Sequence, residues 1–203
     1  MRWRRCGEHA ALFDCDSLAR MRAAHATVSA ARPSGVVELV PGARVLLVTE
    51  RPGSGALEAV RALLDDADLD HPPAGDAREV TLDVHYDGED LELVAKDAGM
   101  SAGDVVELHT SAEYTVAFTG FAPGFGYLTG LPEALRQPRL PTPRTRVPAG
   151  SLGIAGEFTG VYPRESPGGW RLLGHTGAVL FDPRAERPSL LAPGVRVRFR
   201  SVP

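Results

Sequence analysis

Lysine is nearly absent from this chain: of its 22 basic residues, only Lys96 is not arginine. A Schiff-base mechanism needs a primary amine, so it is excluded at every other position. Cysteine is almost as scarce. Cys6 and Cys15 lack CxxC spacing and clustered histidines, so no zinc site is indicated and two reduced thiols are expected. No apolar run approaches the roughly 18 residues that a membrane-spanning helix requires. After the basic start Met1-Arg2-Trp3-Arg4-Arg5, the apolar stretch of an export signal is interrupted by Glu8, His9, Asp14 and Asp16. A cytoplasmic location is the expectation. The formal charge of −4 comes from 22 basic and 26 acidic residues spread along the chain. Neither a nucleic-acid footprint nor a polybasic membrane patch is indicated, which leaves protein or small-molecule partners. GxSxG, GxxxxGK[ST] and a strand-flanked GxGxxG are all missing, so no nucleophile elbow and no familiar phosphate loop are present.

What is there reads as two domains, 1–76 and 77–203, with the boundary near residue 75. Leu18, Met21, Ala24 and Val28 repeat at helical spacing up to the breaker Arg32-Pro33-Ser34-Gly35. Two β-branched apolar runs follow, Val36 to Val40 and Val45 to Thr49, joined by the turn residues Pro41-Gly42-Ala43. A second amphipathic helix runs through Leu57, Val60, Leu63 and Leu64. Helices alternating with strands imply an α+β domain of the ferredoxin-like sort. The second segment opens with a strand from Arg78 to His85 and two short helices, Asp90 to Ala98 and Ser101 to His109, the latter with Ser101 as N-cap. Beyond residue 110 proline and glycine become dense and the strands short: Tyr114 to Phe118, Gly169 to Leu173, Ala178 to Phe181 and Val195 to Phe199. That pattern signals a β-barrel or sandwich.

The most informative stretch is Phe118-Thr119-Gly120-Phe121-Ala122-Pro123-Gly124-Phe125-Gly126-Tyr127-Leu128. Its glycines allow close backbone approach and its aromatics supply rigid apolar walls, which suits a ligand pocket. A tight turn whose rings plug a barrel end is the other reading of the same residues. Pro138-Arg139, Pro143-Arg144, Val147-Pro148-Ala149-Gly150-Ser151, Gly153-Ile154-Ala155-Gly156 and Ser166-Pro167-Gly168-Gly169-Trp170 follow in order. With His85-Tyr86-Asp87-Gly88-Glu89-Asp90-Leu91 and Val105-Val106-Glu107-Leu108-His109, the series resembles the family of the 5-oxoprolinase B subunit, or allophanate hydrolase subunit 1. That family also takes in the sporulation-kinase inhibitor of bacilli and the first half of the urea carboxylase carboxyltransferase domain. Gly126 and His175 depart modestly from its pattern.

The resemblance implies a cyclophilin-like β-barrel behind the α+β domain. It also implies a subunit of an ATP-dependent complex that opens 5-oxo-L-proline to L-glutamate, inactive alone and working with subunits A and C. ATP would be used by the complex, with no ATP motif and no metal site in this chain. Arg144 and Arg139 are the candidate anion readers, because guanidinium pairs bidentately with a carboxylate or acyl phosphate, or else they serve in surface ion pairs. His109 is the candidate general acid/base, or else a helix-terminal hydrogen-bond partner. Phe121, Pro123, Gly124, Phe125 and Tyr127 would wall the pocket, and Gly150 and Ser151 would offer N–H groups to an oxyanion. Other functions open at this point are a urea or allophanate amidohydrolase subunit, a regulator of a sensor histidine kinase and, by fold analogy alone, a prolyl isomerase.

Overall fold

In the computed structural model the chain divides into two compact units, Met1–Asp76 and Ala77–Pro203. Residues 2–71 and 78–203 are described. The expected boundary, near residue 75, falls outside the described residues.

The first unit runs β1 (Arg2–Arg5), β2 (Ala10–Asp14), α1 (Leu18–Ala31), β3 (Val36–Pro41), β4 (Val45–Glu50) and α2 (Ala56–Asp66). Its antiparallel sheet has the order β1-β2-β4-β3. With β4 between β2 and β3, the β2-α1-β3 crossover is a split βαβ unit, which is the ferredoxin-like arrangement. The fourth strand comes from β1, ahead of the crossover. The sequence pattern assigns no element before Ser17: β1, with three arginines and one tryptophan, has no apolar alternation to reveal it, and β2 is likewise a strand that the pattern does not assign. Trp3 nevertheless packs edge-on against Phe13 at 4.8 Å. Ser17 caps α1, and Met21, Ala24 and Val28 bury one face of that helix. Leu46 and Val48 of β4 receive it.

The second unit begins with β5 (Glu79–Val84), α3 (Leu91–Ala98), α4 (Ala102–Ser111), β6 (Tyr114–Thr119) and β7 (Gly126–Thr129). After a short 3-10 turn at Glu133–Leu135 come β8 (Arg144–Val147), β9 (Ser151–Ala155), β10 (Phe158–Val161), β11 (Ser166–Gly168), β12 (Arg171–His175) and β13 (Arg196–Ser201). Seven of these strands form one sheet in the order β12-β9-β10-β7-β6-β13-β5, while β8 and β11 pair separately. The two ends of the large sheet meet just past β5, where His85 and His175 exchange N–H···O bonds of 2.9 Å in both directions. Gly88 N–H to Leu173 O, 3.1 Å, and Asp90 N–H to Leu172 O, 3.0 Å, extend the seam. The result is a nearly closed barrel, as the short strands implied. Its interior is filled by Val116, Leu128, Leu152, Ile154, Leu173 and Val197.

α3 packs on β12, and α4 packs on β13. Ser101 and Asp104 form the capping box that starts α4, worth about 1 kcal/mol. Two strand expectations need correction. Gly169 to Leu173 starts as a strand only at Arg171, because Gly169 is held in a loop by the Leu140 N–H to its carbonyl, 2.8 Å. Ala178 to Phe181 forms a single bridge, Phe181 to Ser189, and anchors through buried Leu180. Among the described residues no helix is long and apolar enough to cross a membrane.

The seam is backbone against backbone: a Cβ on Gly174 would fall on the His85 carbonyl oxygen. Gly174→Ala is therefore expected to destabilise the barrel by about 1–3 kcal/mol in urea unfolding, as overpacking does. Gly177→Ala, where a Cβ meets nothing within 4 Å, is expected to stay within about 0.5 kcal/mol of the unaltered chain.

Candidate functional site

The loop between β6 and β7 is built from two consecutive tight turns. Ala122 N–H donates to Gly120 O at 2.6 Å across Phe121, whose φ is 64°. That is a γ-turn of the rare positive-φ kind. Holding a non-glycine residue there costs about 1–3 kcal/mol, and strain of this sort collects at functional sites. Phe125 N–H then donates to Ala122 O at 2.9 Å, with Pro123 second and Gly124, at φ 86°, third. Proline fixes φ at the second position and glycine supplies the positive φ of the third, the requirements of a type II turn. Gly120 N–H to Phe125 O, 3.2 Å, closes the loop onto the hairpin. A side chain at Gly124 has no room, since its Cβ would lie 2.7 Å from the Phe181 Cβ.

This loop forms one wall of a cleft of about 490 Å³. Thr119, Gly120, Phe121, Ala122, Pro123 and Gly124 line one side, and Phe181, Ser189, Ala192 and Pro193 line the other. Phe121 remains 57% exposed. Its ring is held edge-on to Phe125 at 5.3 Å and to Tyr162 at 6.0 Å. Phe125 is buried and makes further edge contacts with Tyr127 and Trp170, while Tyr127 stacks on Phe118 at 4.4 Å. The aromatics of the motif thus divide: Phe121 faces the cleft, and the others brace the loop from below.

His109 is wholly buried in the last turn of α4. Its Nδ1 lies 2.8 Å from the Tyr86 hydroxyl and its Nε2 lies 3.2 Å from Thr159 Oγ1. The Thr159 hydroxyl donates its only proton to Gly153 O at 3.1 Å, so it can only accept from the ring. His109 is therefore the neutral Nε2–H tautomer, with Tyr86 O–H donating to Nδ1. Burial without a counter-charge pushes its pKa down to about 3. Tyr114 and Phe199 flank the ring at 5.1 and 4.8 Å.

Arg144 is partly buried and is fully engaged by protein partners. Its Nη2 reaches both Asp90 oxygens at 2.8 and 2.9 Å, its Nε reaches Glu89 at 3.2 Å, and its Nη1 reaches Trp170 O at 3.4 Å. Asp90 in turn accepts from Leu172 N–H at 2.7 Å. The pair ties the start of α3 to β12, and the Asp90 carboxylate holds the Arg144 pKa up. Arg139 is exposed and, among the described residues, makes no side-chain hydrogen bond or ion pair. Burial pushes the Tyr162 phenol up, while the Trp170 N–H and the Arg139 and Arg144 charges pull the other way. The amides expected to face an oxyanion are already in use: Gly150 N–H donates to Tyr162 O at 2.8 Å and Ser151 N–H to Pro148 O at 3.3 Å.

Of the residues singled out from the sequence, the cleft gathers Phe121, Pro123 and Gly124, with Phe125 and Tyr127 behind them. His109, Arg139, Arg144, Gly150 and Ser151 do not line it. The opposite wall, Phe181 to Pro193, escaped sequence reasoning, because no spacing links it to a loop some 60 residues earlier. Tyr162 was missed too, and its only sequence signal is an aromatic beside a proline. Among the described residues, no group of three or more His, Cys, Asp or Glu is placed to hold a metal ion.

The family described as carboxyltransferase domain, subdomain C and D, matches residues 1–191. The chain is 47% identical over 168 residues to the 5-oxoprolinase B subunit of Escherichia coli O157:H7, covering 81% of this chain and 77% of that protein. The crystal structure of TTHA0988 superposes with a TM-score of 0.81 at 37% identity, over 97% of this chain and 40% of that one. This chain therefore spans well under half of that polypeptide. The Kluyveromyces lactis urea carboxylase superposes with a TM-score of 0.72 at 19% identity, over 99% of this chain and 22% of that one, a likeness of fold alone.

The buried His109 makes the barrel acid-sensitive. Its folded pKa of about 3 lies below the unfolded value near 6.5, so the unfolded chain binds the extra proton in between. This contribution to stability is complete above pH 6.5 and is lost as pH falls toward 3. Long-range ¹H–¹⁵N spectra at pH 5 are expected to show the neutral Nε2–H ring. A ring that titrates near 6.5 in the folded protein would contradict the assignment.

Proposed function

The chain belongs to the carboxyltransferase-domain family, subdomains C and D, that includes the 5-oxoprolinase B subunit, and from that premise we propose that it serves an ATP-dependent 5-oxoprolinase complex. The observation that carries the reading is 47% identity over 168 residues to a protein of that name. The uncharged aromatic cleft is in keeping with it, being suited to a small neutral ring.

In this reading the reaction opens the ring of 5-oxo-L-proline to L-glutamate in the cytoplasm, at a site shared with subunits A and C. Ring opening is uphill without ATP, and a phosphorylated intermediate has to be kept from bulk water, which a site closed between subunits achieves. No charged side chain lines the cleft, so it offers a triphosphate no counter-charge. ATP is accordingly assigned to the rest of the complex. Phe121, Pro123 and Gly124 wall the substrate site, and Phe125 and Tyr127 support that wall. Arg139 remains available as an anion reader where the subunits meet. Arg144 and His109 act through the framework, Arg144 by fixing the start of α3 and His109 by joining α4 to β10.

The chain mixed with its A and C partners should consume ATP in response to 5-oxoproline, and the chain alone should not. A reconstituted, stoichiometric complex that leaves ATP untouched when 5-oxoproline is supplied would sink the reading. Arg144→Ala is expected to cost about 3–5 kcal/mol of stability by leaving the Asp90 carboxylate buried and unpaired. In the fraction of Arg144→Ala that remains folded, KM for 5-oxoproline should change little. A KM raised many-fold in well-folded protein would make Arg144 a substrate ligand instead.

A further inference from the structure

The cleft beside the Phe121 loop has apolar walls and no charged side chain. Ten residues line it, and none is Asp, Glu, Lys, Arg or His. Its apolar surfaces come from Phe121, Pro123, Phe181, Ala192 and Pro193. Among the described residues, the main-chain N–H groups of Phe121 and Gly124 donate to no protein acceptor. The neighbouring turn amides of Ala122 and Phe125 are both taken by the loop itself, and those of Gly150 and Ser151 are also used. Two free donors therefore sit in a loop whose geometry is fixed by consecutive turns and by the packing of Gly124 under Phe181.

Such a site discriminates by charge. A carboxylate or phosphate held against these walls would find no cation to offset whatever part of its water shell it gave up. A neutral amide oxygen needs only one or two N–H donors, and the methylene edge of a small ring matches the apolar walls. We propose that this cleft binds the neutral lactam end of a cyclic amide, with the Phe121 and Gly124 N–H groups on the ring carbonyl oxygen, and that it leaves the ring's carboxylate unread. The inference rests on the functional reading above for the choice of a cyclic amide. It adds a division of labour: this chain recognises the bond that is opened, and the acid group is selected by residues outside the cleft.

The test is a titration of the full ¹⁵N-labelled chain with 2-pyrrolidinone, 5-oxoproline and cyclopentanecarboxylate, following the Phe121 and Gly124 amide resonances. Both lactams are expected to move those two amides downfield, with dissociation constants within about threefold of each other and nearly independent of salt. Cyclopentanecarboxylate, which has the acid group and no lactam, should leave them in place. Phe121→Ala keeps the N–H and loses the wall, so it should weaken both lactams alike, by roughly tenfold. The proposal is overturned if neither lactam moves the two amides, or if 5-oxoproline moves them and 2-pyrrolidinone does not. The two failures remain separable. An active complex with silent amides refutes only the lactam site, and responsive amides in a complex without 5-oxoproline-dependent ATP use refute only the 5-oxoprolinase reading.

Discussion

The second unit depends on the closure of its sheet at a seam that only backbone can make. His85 and His175 exchange both their N–H···O bonds, and Gly88 and Gly174 lie where any side chain would strike the facing strand. A sheet with open edges presents unpaired N–H and C=O groups, and closure removes that liability while enclosing an apolar interior. Where the ends are joined also decides what the barrel can carry. β6 and β7 pair as an antiparallel hairpin with a register shift between Val116 and Phe118, and consecutive turns fix the loop between them.

Two arginines secure the helix that abuts this seam. Arg144 grips Asp90 at the start of α3, while Arg171 reaches Asp97 near its end, at 2.6 Å, and Gln137, at 2.7 Å. The Arg144–Asp90 pair is largely buried and Arg171 is buried against a half-exposed Asp97, so geometry and additional hydrogen bonds must offset the loss of water. Here they do: Asp90 also accepts a backbone N–H from β12, and Arg171 also donates to Pro138 O. Guanidinium is the chemistry for this task because its donors form a planar fork. The abundance of arginine in the chain therefore has a structural use. His109 plays the matching role for α4, with Tyr86 and Thr159 satisfying both ring nitrogens and so specifying a single tautomer in an apolar surround.

Much of the architecture was legible in the sequence. The helical spacing of Met21, Ala24 and Val28 placed α1, the β-branched runs placed β3 and β4, and Ser101 marked the start of α4. The density of short strands after residue 110 announced a barrel. The edge strand β1 was hidden because its arginines carry no alternation, and the Ala178 to Phe181 run was misread because β-propensity says nothing about available partners. Of the site, the Phe121-Ala122-Pro123-Gly124 turn could be recognised from residue types alone, since proline and glycine in those positions have defined backbone geometry.

Residue type also drew attention to His109, Arg144, Gly150 and Ser151 as groups capable of chemistry. Capability is a property of a side chain, whereas availability is a property of its surroundings. The sequence by itself determined most of the helices and strands, the family pattern and the turn chemistry of Pro123-Gly124, because propensity, periodicity and turn chemistry act over a few residues. Only the tertiary structure decided that the arginine and histidine are consumed by internal partners, that the Gly150 and Ser151 amides are occupied, and that Phe181 to Pro193 completes the cleft. Those outcomes rest on contacts between segments tens of residues apart, and burial and hydrogen-bond saturation exist only once the chain has closed on itself.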